Sequence, residues 1–460
     1  MTTTFRIALA IGCGFLPAAY TGQVLAQAEN QADSQVAPQV DLTFDESAPV
    51  AAEPTSSQAS EIVPDRNAMS FWDAEVLEPT RITLSQEAAY KFEKPDYLVK
   101  NRSSLRVEYS KYFLDHFFVQ LDAKTTGFLR EDHRHEEGSD TRVSQAYLQT
   151  SFGKMSVSLG IQTVAWGESI LAPITDEVSP RDNRELFNFN LDELRIGQPM
   201  IVVDQYSGFG RFSAFFTPNP SLNQNPEAGS AYYFDPFGGA ARFNTGGDPG
   251  AEYGLSWRKS FGSADVSLMA ASLIDNEYAL RLDQAGRIVR ERNRYSLAGM
   301  TFSYTVGKFL LKGEAGMKAP QSYNTSPADN TGLQLMKKDA LDTYLGVEYR
   351  HDSSLSVSIE GVNEHIMDWS SAIQGTPRNR QSLLLNVTKL MMNDDLSINV
   401  LNFYSMPDSS VLTMLLTSYQ WNDNLALDLN VTYPSTRSEK SGLWNVRDQK
   451  QIAFKVQYKF

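Results

Sequence analysis

Cysteine is all but absent: the 460 residues hold one, Cys13. That rules out a disulfide framework within the chain and a thiolate metal centre. Long apolar runs are missing too. Beyond residue 28 none approaches the roughly 18 residues that a membrane-spanning helix needs, so a bundle of transmembrane helices is excluded. Histidine is rare, five in total. No H-E-x-x-H, G-x-S-x-G or P-loop is present, so no catalytic residue is assigned, and neither a metal nor a cofactor is expected. Basic stripes are lacking as well. With a formal net charge of -14, the chain is a poor partner for nucleic acid.

What is present begins with an address. Residues 1–6 carry one positive charge at Arg6, residues 7–20 are apolar and uncharged, and Ala26, Gln27 and Ala28 follow. This is the layout of a cleavable secretory signal over 1–28, cut after Ala28 and taking Cys13 with it. A lipidated Cys13 is the rival reading, but the apolar run before it is too short. Residues 29–66 then hold eight acids against Arg66 alone, a net -7 that is half of the chain's total. Rich in Ala, Pro, Ser and Gln, this stretch cannot bury enough surface to offset its ordering entropy. We read 29–75 as an acidic flexible periplasmic leader and 76–460 as the folded domain.

From about residue 82 one pattern repeats: about ten residues alternating apolar with polar, then a break. Ile452, Phe454, Val456, Tyr458 and Phe460 alternate with Gln451, Ala453, Lys455, Gln457 and Lys459, and Leu345, Val347 and Tyr349 with Tyr344, Glu348 and Arg350. In a strand the two sets face opposite sides. A soluble sandwich would also alternate, and connection lengths decide between them. Short breaks at Gly153, Gly208, Gly262, Gly307, Ser353, Asn393, Asn422 and between Leu114 and His116 regularly alternate with long irregular ones. That asymmetry belongs to transmembrane barrels, with tight periplasmic turns and long extracellular loops. Eight short turns plus a strand at each end predict an all-β antiparallel barrel of about 18 strands (16–18), both termini in the periplasm. Tyr109, Tyr304, Tyr349, Tyr419, Trp421, Tyr433 and Tyr458 fall near strand ends, where a girdle meets lipid headgroups. The expected partners are outer-membrane lipid and lipopolysaccharide, the assembly machinery acting on the strand that ends in Phe460, and a solute that the sequence does not name.

Lumen-facing positions give a wall of mixed sign: Arg106, Lys124, Lys312, Arg350 and Lys455 beside Glu108, Asp122, Glu314, Asp342 and Glu348. Neither sign dominates, so selectivity falls to the loops. The best candidate is 167–197, since loops longer than about 15 residues are uncommon unless functional. With the preceding Trp166 it carries Glu168, Asp176, Glu177, Asp182, Glu185, Asp192 and Glu193 against Arg181, Arg184 and Arg195. Its apolar residues Ile170, Leu171, Leu186, Phe187 and Leu191 would be exposed if it stood out in water, so it should fold into the barrel and narrow it. Ser179, Pro180, Arg181 and Asp182 read as a helix start, with Ser179 as N-cap and a short helix through Phe187. A second long loop, 219–250, intersperses Tyr232, Tyr233, Phe234, Phe237 and Phe243 among Gly, Asn and Pro; these rings either stack on a sugar or pack the loop onto itself. His133 and His135 sit among Asp132, Glu136 and Glu137, enough for a divalent cation, but without a group to orient the rings they read as a solvated loop.

The run 160–220, with its WGES at 166–169, Pro173, SPRD at 179–182 and Leu194, Arg195 and Pro199, resembles the diagnostic segment of a domain-of-unknown-function family of Gram-negative outer-membrane barrels. More distantly it is similar to the alginate-export porins. The resemblance implies an outer-membrane location and a pore or export role. A channel is therefore the leading expectation. The alternatives are a barrel enzyme acting on lipid or envelope polymer, to be tested at His365, and a non-conducting surface receptor or scaffold.

Overall fold

The computed structural model describes residues 79–113, 116–129, 138–167, 169, 174–185, 194–235, 241–244, 250–325 and 333–460. The signal, the leader, His133 and His135 lie outside them. Eighteen strands form one antiparallel sheet. They are β1 (Thr80–Lys91), β2 (Tyr97–Phe113), β3 (Phe117–Phe128), β4 (Gly138–Phe152), β5 (Met155–Gln162), β6 (Gln198–Ser207), β7 (Gly210–Thr217), β8 (Glu252–Phe261) and β9 (Ala264–Ile274), then β10 (Arg294–Val306), β11 (Phe309–Thr325), β12 (Gln334–Asp352), β13 (Leu355–Ile366), β14 (Asn379–Met391), β15 (Leu396–Ser405), β16 (Ser410–Gln420), β17 (Leu425–Ser435) and β18 (Gln451–Lys459). Each pairs with the next, and β18 pairs back onto β1, from Thr83 opposite Lys459 to Lys91 opposite Gln451. The barrel is closed, as the alternation and the even strand count require. Closure satisfies every strand edge, the condition for a sheet to sit in hydrocarbon.

All eight short breaks read from the sequence fall between strands and gather at one end of the barrel. Gly153 and Gly307 take φ of 61° and 59° there, the left-handed backbone of tight hairpin turns. The long connections gather at the other end. Along the strands one alternating set is apolar and faces outward: Leu345 is 68 % exposed while Tyr344 and Glu348 on the other face are buried. Aromatics pair at the turn end, Phe309 with Tyr349 at 5.0 Å, Tyr419 with Trp421 at 6.0 Å and Tyr458 with Phe460 at 4.8 Å. Among the described residues no helix is long and apolar enough to cross a membrane; crossing is by strands.

The interior holds a feature that the charge pattern did not suggest. Val362 on β13, Leu384 on β14, Leu401 and Phe403 on β15, and Leu412 and Met414 on β16 face inward and are buried in one apolar cluster. The loops supply its cover, for Ile174, Tyr232, Leu443 and Val446 belong to the same cluster. A wall that is apolar along several strands gives inward-folded loops something to bury themselves against. Three short strands, Arg242–Asn244, Ala279–Leu282 and Ile288–Glu291, form a separate small sheet within the long connections.

Candidate functional site: a strap across the lumen

The connection 163–197 contains the loop 167–197 expected to fold inward; its described residues enter the barrel, and those of its two motifs show how. Trp166 is 7 % exposed and packs edge-on against Phe215 of β7 at 5.5 Å, within a cluster that includes Val178, Met269 and Leu297. It is an anchor rather than a lumen-lining residue. Its backbone N–H donates to Asp176 Oδ1 at 3.0 Å, which turns the chain back on itself. Gly167 has φ 95°, and a Cβ there would stand 2.7 Å from Glu314 Oε1; a side chain would meet both the strain and the carboxylate. Ser179 does not cap a helix. Its hydroxyl donates to Val164 O at 3.0 Å and accepts from Val164 N at 2.9 Å, so it is spent on the chain just leaving β5. The expected helix is accordingly corrected: Arg181 and Asp182 lie in β-bridges to Arg195 and Gln224. Leu186 and Phe187, its foreseen end, lie outside the described residues, as do Glu168, Asp192, Glu193, Ile170, Leu171, Pro173 and Leu191.

Ion pairs hold this segment to two opposite walls. On one side Glu185 reaches Lys100 Nζ at 2.7 Å and pairs with Arg102, both on β2. Asp182 accepts from Arg142 of β4 at 3.2 Å, and Arg184 bridges Asp182 at 2.6 Å and Asp140 of β4 at 2.8 Å. On the other side Glu177 accepts from Lys318 of β11 at 2.6 Å, and Lys318 also meets Asp342 of β12 at 3.1 Å. Glu314 of β11 takes three donors from the segment: Thr175 N at 2.7 Å, Thr175 Oγ1 at 2.6 Å and Ser169 N at 3.0 Å. In a closed ring of eighteen strands, β2 and β11 stand half-way round from each other. The segment is therefore a strap across the lumen, latched at both ends.

The β11 end rests in a notch that sequence reasoning missed. Gly299 of β10 and Gly316 of β11 are directly paired. A Cβ on Gly299 would fall 2.4 Å from Thr175 Cγ2, and one on Gly316 2.9 Å from Ile174 O. Two facing glycines on an inward face were the available signal, since a strand gains nothing from glycine unless something approaches closely. Within the strap, Arg181 and Arg195 both donate to Asp176 Oδ2 at 2.9 Å. Burial pulls the Arg181 guanidinium below its usual range, while hydrogen bonds to Asp182 outweigh burial and raise Arg184.

Charges of the lumen wall pair both within strands and across neighbouring ones. Arg106 forks onto Asp122 at 2.9 and 2.8 Å and lies 3.4 Å from Glu108. Glu348 takes Arg350 at 2.6 Å and Lys312 at 3.8 Å. Lys124 faces inward opposite Arg106 and Arg142, and Lys455 stands opposite Asp428 on β17. Of these, Glu314 and Asp342 join the strap's latches, and the rest line the barrel elsewhere. Described residues of the 219–250 loop reach across the lumen too. Tyr232 is buried and donates to Gln451 of β18 at 3.3 Å, whereas Tyr233, Phe234 and Phe243 stay exposed and Phe237 lies outside the described residues. Asn223 clips this loop to the strap by accepting from Arg181 N at 2.7 Å. His365, at the loop end of β13, has Nδ1 2.6 Å from Asn379 Oδ1.

Between the strap, β11–β14 and the loops at 223 and 275–277 lies a cavity of about 230 Å³, lined by both acids and bases, among them Arg181, Asp275, Glu277, Lys318 and Arg380. Burial pushes the Glu277 carboxyl up to about 7, against hydrogen bonds from Asn223 at 2.9 Å and Asn225 at 2.8 Å that lower it. Asp275 rises to about 6, again by burial.

Comparison with known proteins places the fold. The model of DUF1302, described as a protein of unknown function, matches residues 86–457. The barrel is similar to OccAB1 of Acinetobacter baumannii (TM-score 0.52, 10 % identity, covering 83 % of this chain and 96 % of that one). It is likewise similar to OccK8 (OprE) of Pseudomonas aeruginosa (TM-score 0.50, 9 % identity, 83 % and 98 %). At such identities the likeness is one of fold, that of an outer-membrane porin-like barrel. No curated protein matches the chain.

Proposed function

The chain belongs to the DUF1302 family, and from that premise and the strap across its lumen we propose that it is an outer-membrane channel whose path narrows at 163–197. The single observation that carries this is the pair of opposed latches, Glu185 on β2 and Glu177 on β11. A loop that only stabilised the rim would have no reason to be bonded to both walls. The turn end is then periplasmic and the loop end extracellular, so the cavity opens on the outer side of the strap. Residues 29–75 form an acidic leader in the periplasm after removal of 1–28, and the strand ending in Phe460 is the part the assembly machinery recognises. Both follow from the sequence pattern.

Planar-bilayer recording tests the reading. Purified protein should show discrete conductance steps, and deletion of 170–192 should enlarge them. Absence of steps from folded wild-type protein would favour the receptor or scaffold instead. The enzyme reading finds less support, since the hydrogen bond of His365 goes to an asparagine amide.

A further inference from the structure

The cavity beside the strap has an uneven charge ledger. Six carboxylates line it, Asp176, Glu177, Asp275, Glu277, Asp342 and Glu364, against the cations Arg181, Lys318 and Arg380. Four of the six are answered from within the chain: Asp176 by Arg181 and Arg195, Glu177 and Asp342 by Lys318, and Glu364 by Arg380 at 3.5 Å. Asp275 and Glu277 have no such partner among the described residues. Asp275 accepts the Glu277 N–H at 3.2 Å, and among the described residues Glu277 takes the two asparagine amides. Their raised carboxyls, near 6 and 7, agree with buried acids that lack a cation.

A second, independent group points the other way. Arg181 is 5 % exposed and lines the cavity, yet its Nη1 has no acceptor among the described residues, while Nη2 is engaged by Asp176. A buried donor on a charged group left unpaired costs free energy, which an incoming oxygen would recover. One side chain separates the two poles. Asn223 accepts from the Arg181 backbone N–H and donates to Glu277. Ile174, Ala340 and Ile366 supply apolar lining, and the volume of about 230 Å³ is more than ten times the ~15 Å³ that admits one water.

We propose that this cavity is a binding station for a small aminated solute whose ammonium group lies beside an oxygen acceptor, as in an amino sugar or an amino acid. The ammonium meets Asp275 and Glu277, the oxygen meets Arg181 Nη1, and the carbon frame lies on the apolar lining. A multiply charged anion is repelled by the acid excess. A metal finds no cluster of three ligands among the described residues. This inference rests on the channel reading, because it places the station on the outer side of the strap.

The test compares four probes on the wild-type protein: glucosamine, glycine, glucose and methylammonium. Calorimetry on detergent-solubilised protein gives binding, and bilayer recording gives current block. Glucosamine, glycine or both should bind at least tenfold more tightly than glucose and methylammonium. Which of the two binds names the source of the amine. Glu277→Gln and Asp275→Asn together should weaken that binding at least tenfold. Arg181→Lys should bring the favoured probe down to the level of methylammonium. Equal binding of glucose or methylammonium overturns the proposal, as does binding of none. Binding without conductance would uphold the station and remove the channel, whereas conductance with no probe binding would do the reverse.

Discussion

Replacing Glu314 by alanine should loosen the β11 end of the strap while leaving the barrel folded. Glu314 is 5 % exposed and accepts from Ser169 N, Thr175 N and Thr175 Oγ1 at 3.0, 2.7 and 2.6 Å. Hydrogen bonds to a charged group contribute about 1.5–3 kcal/mol each. Three that share one carboxylate are not additive, so we take about 3–5 kcal/mol for the latch. Each 1.4 kcal/mol is about tenfold in an equilibrium, and the docked strap should lose more than a hundredfold in population. The Glu177–Lys318 pair on β11 and the Glu185 latch on β2 survive, so the strap loosens around Ser169 and Thr175 rather than leaving the lumen. Single-channel recording should show larger conductance with millisecond flicker, and Glu314→Gln, which keeps an oxygen acceptor, should fall between. The barrel's ladder is untouched, so heat-modifiability on gels should be retained. Folded Glu314→Ala protein with the conductance and noise of wild type would refute the latch.

Gly316→Val should also unseat the strap, since its Cβ would lie 2.9 Å from Ile174 O; overpacking of this kind costs about 1–3 kcal/mol, read as the same gain in conductance. Leu345→Arg, on the lipid face at 68 % exposure, should cost about 2–4 kcal/mol near the bilayer midplane, measured by urea unfolding in vesicles, and a smaller loss would put that face elsewhere. The Glu277 carboxyl is raised to about 7 from its usual 4.5, so the folded clip binds more protons than the open one. Its stability is full below about pH 4.5 and declines as pH rises through 7; Asp275, Arg181, Glu177 and Lys318 share the cavity and shift the midpoint without reversing the sign. Current flicker should therefore be greater at pH 8 than at pH 5, and Glu277→Gln should remove the difference. Truncation of 29–66 should leave the barrel heat-modifiable, because no strand is lost, and failure to fold would make the leader structural.

The sequence by itself determined the barrel. Alternation of apolar and polar residues is a local property that assigns each side chain to lipid or lumen before any strand has a partner, and turn glycines such as Gly153 and Gly307 mark where the chain must reverse. That is why all eight short turns, the strand count and the entry of the loop after Trp166 were legible, and why Arg106, Asp122 and Glu348 could be placed on the wall. What it could not assign were the partners. Ser179 looked like a helix cap because its neighbours in sequence allow one, yet the folding back of the connection gives its hydroxyl a better bond to Val164. Glu314 looked like one wall charge among many, yet it holds Ser169 across 145 residues of chain. The glycine notch, the apolar wall under Tyr232 and Leu443, and the unanswered pair Asp275 and Glu277 exist only once β2 and β11 face each other across a closed ring. Periodicity decides which way a side chain points, but what it meets there depends on the whole circumference, and only the tertiary structure supplies that.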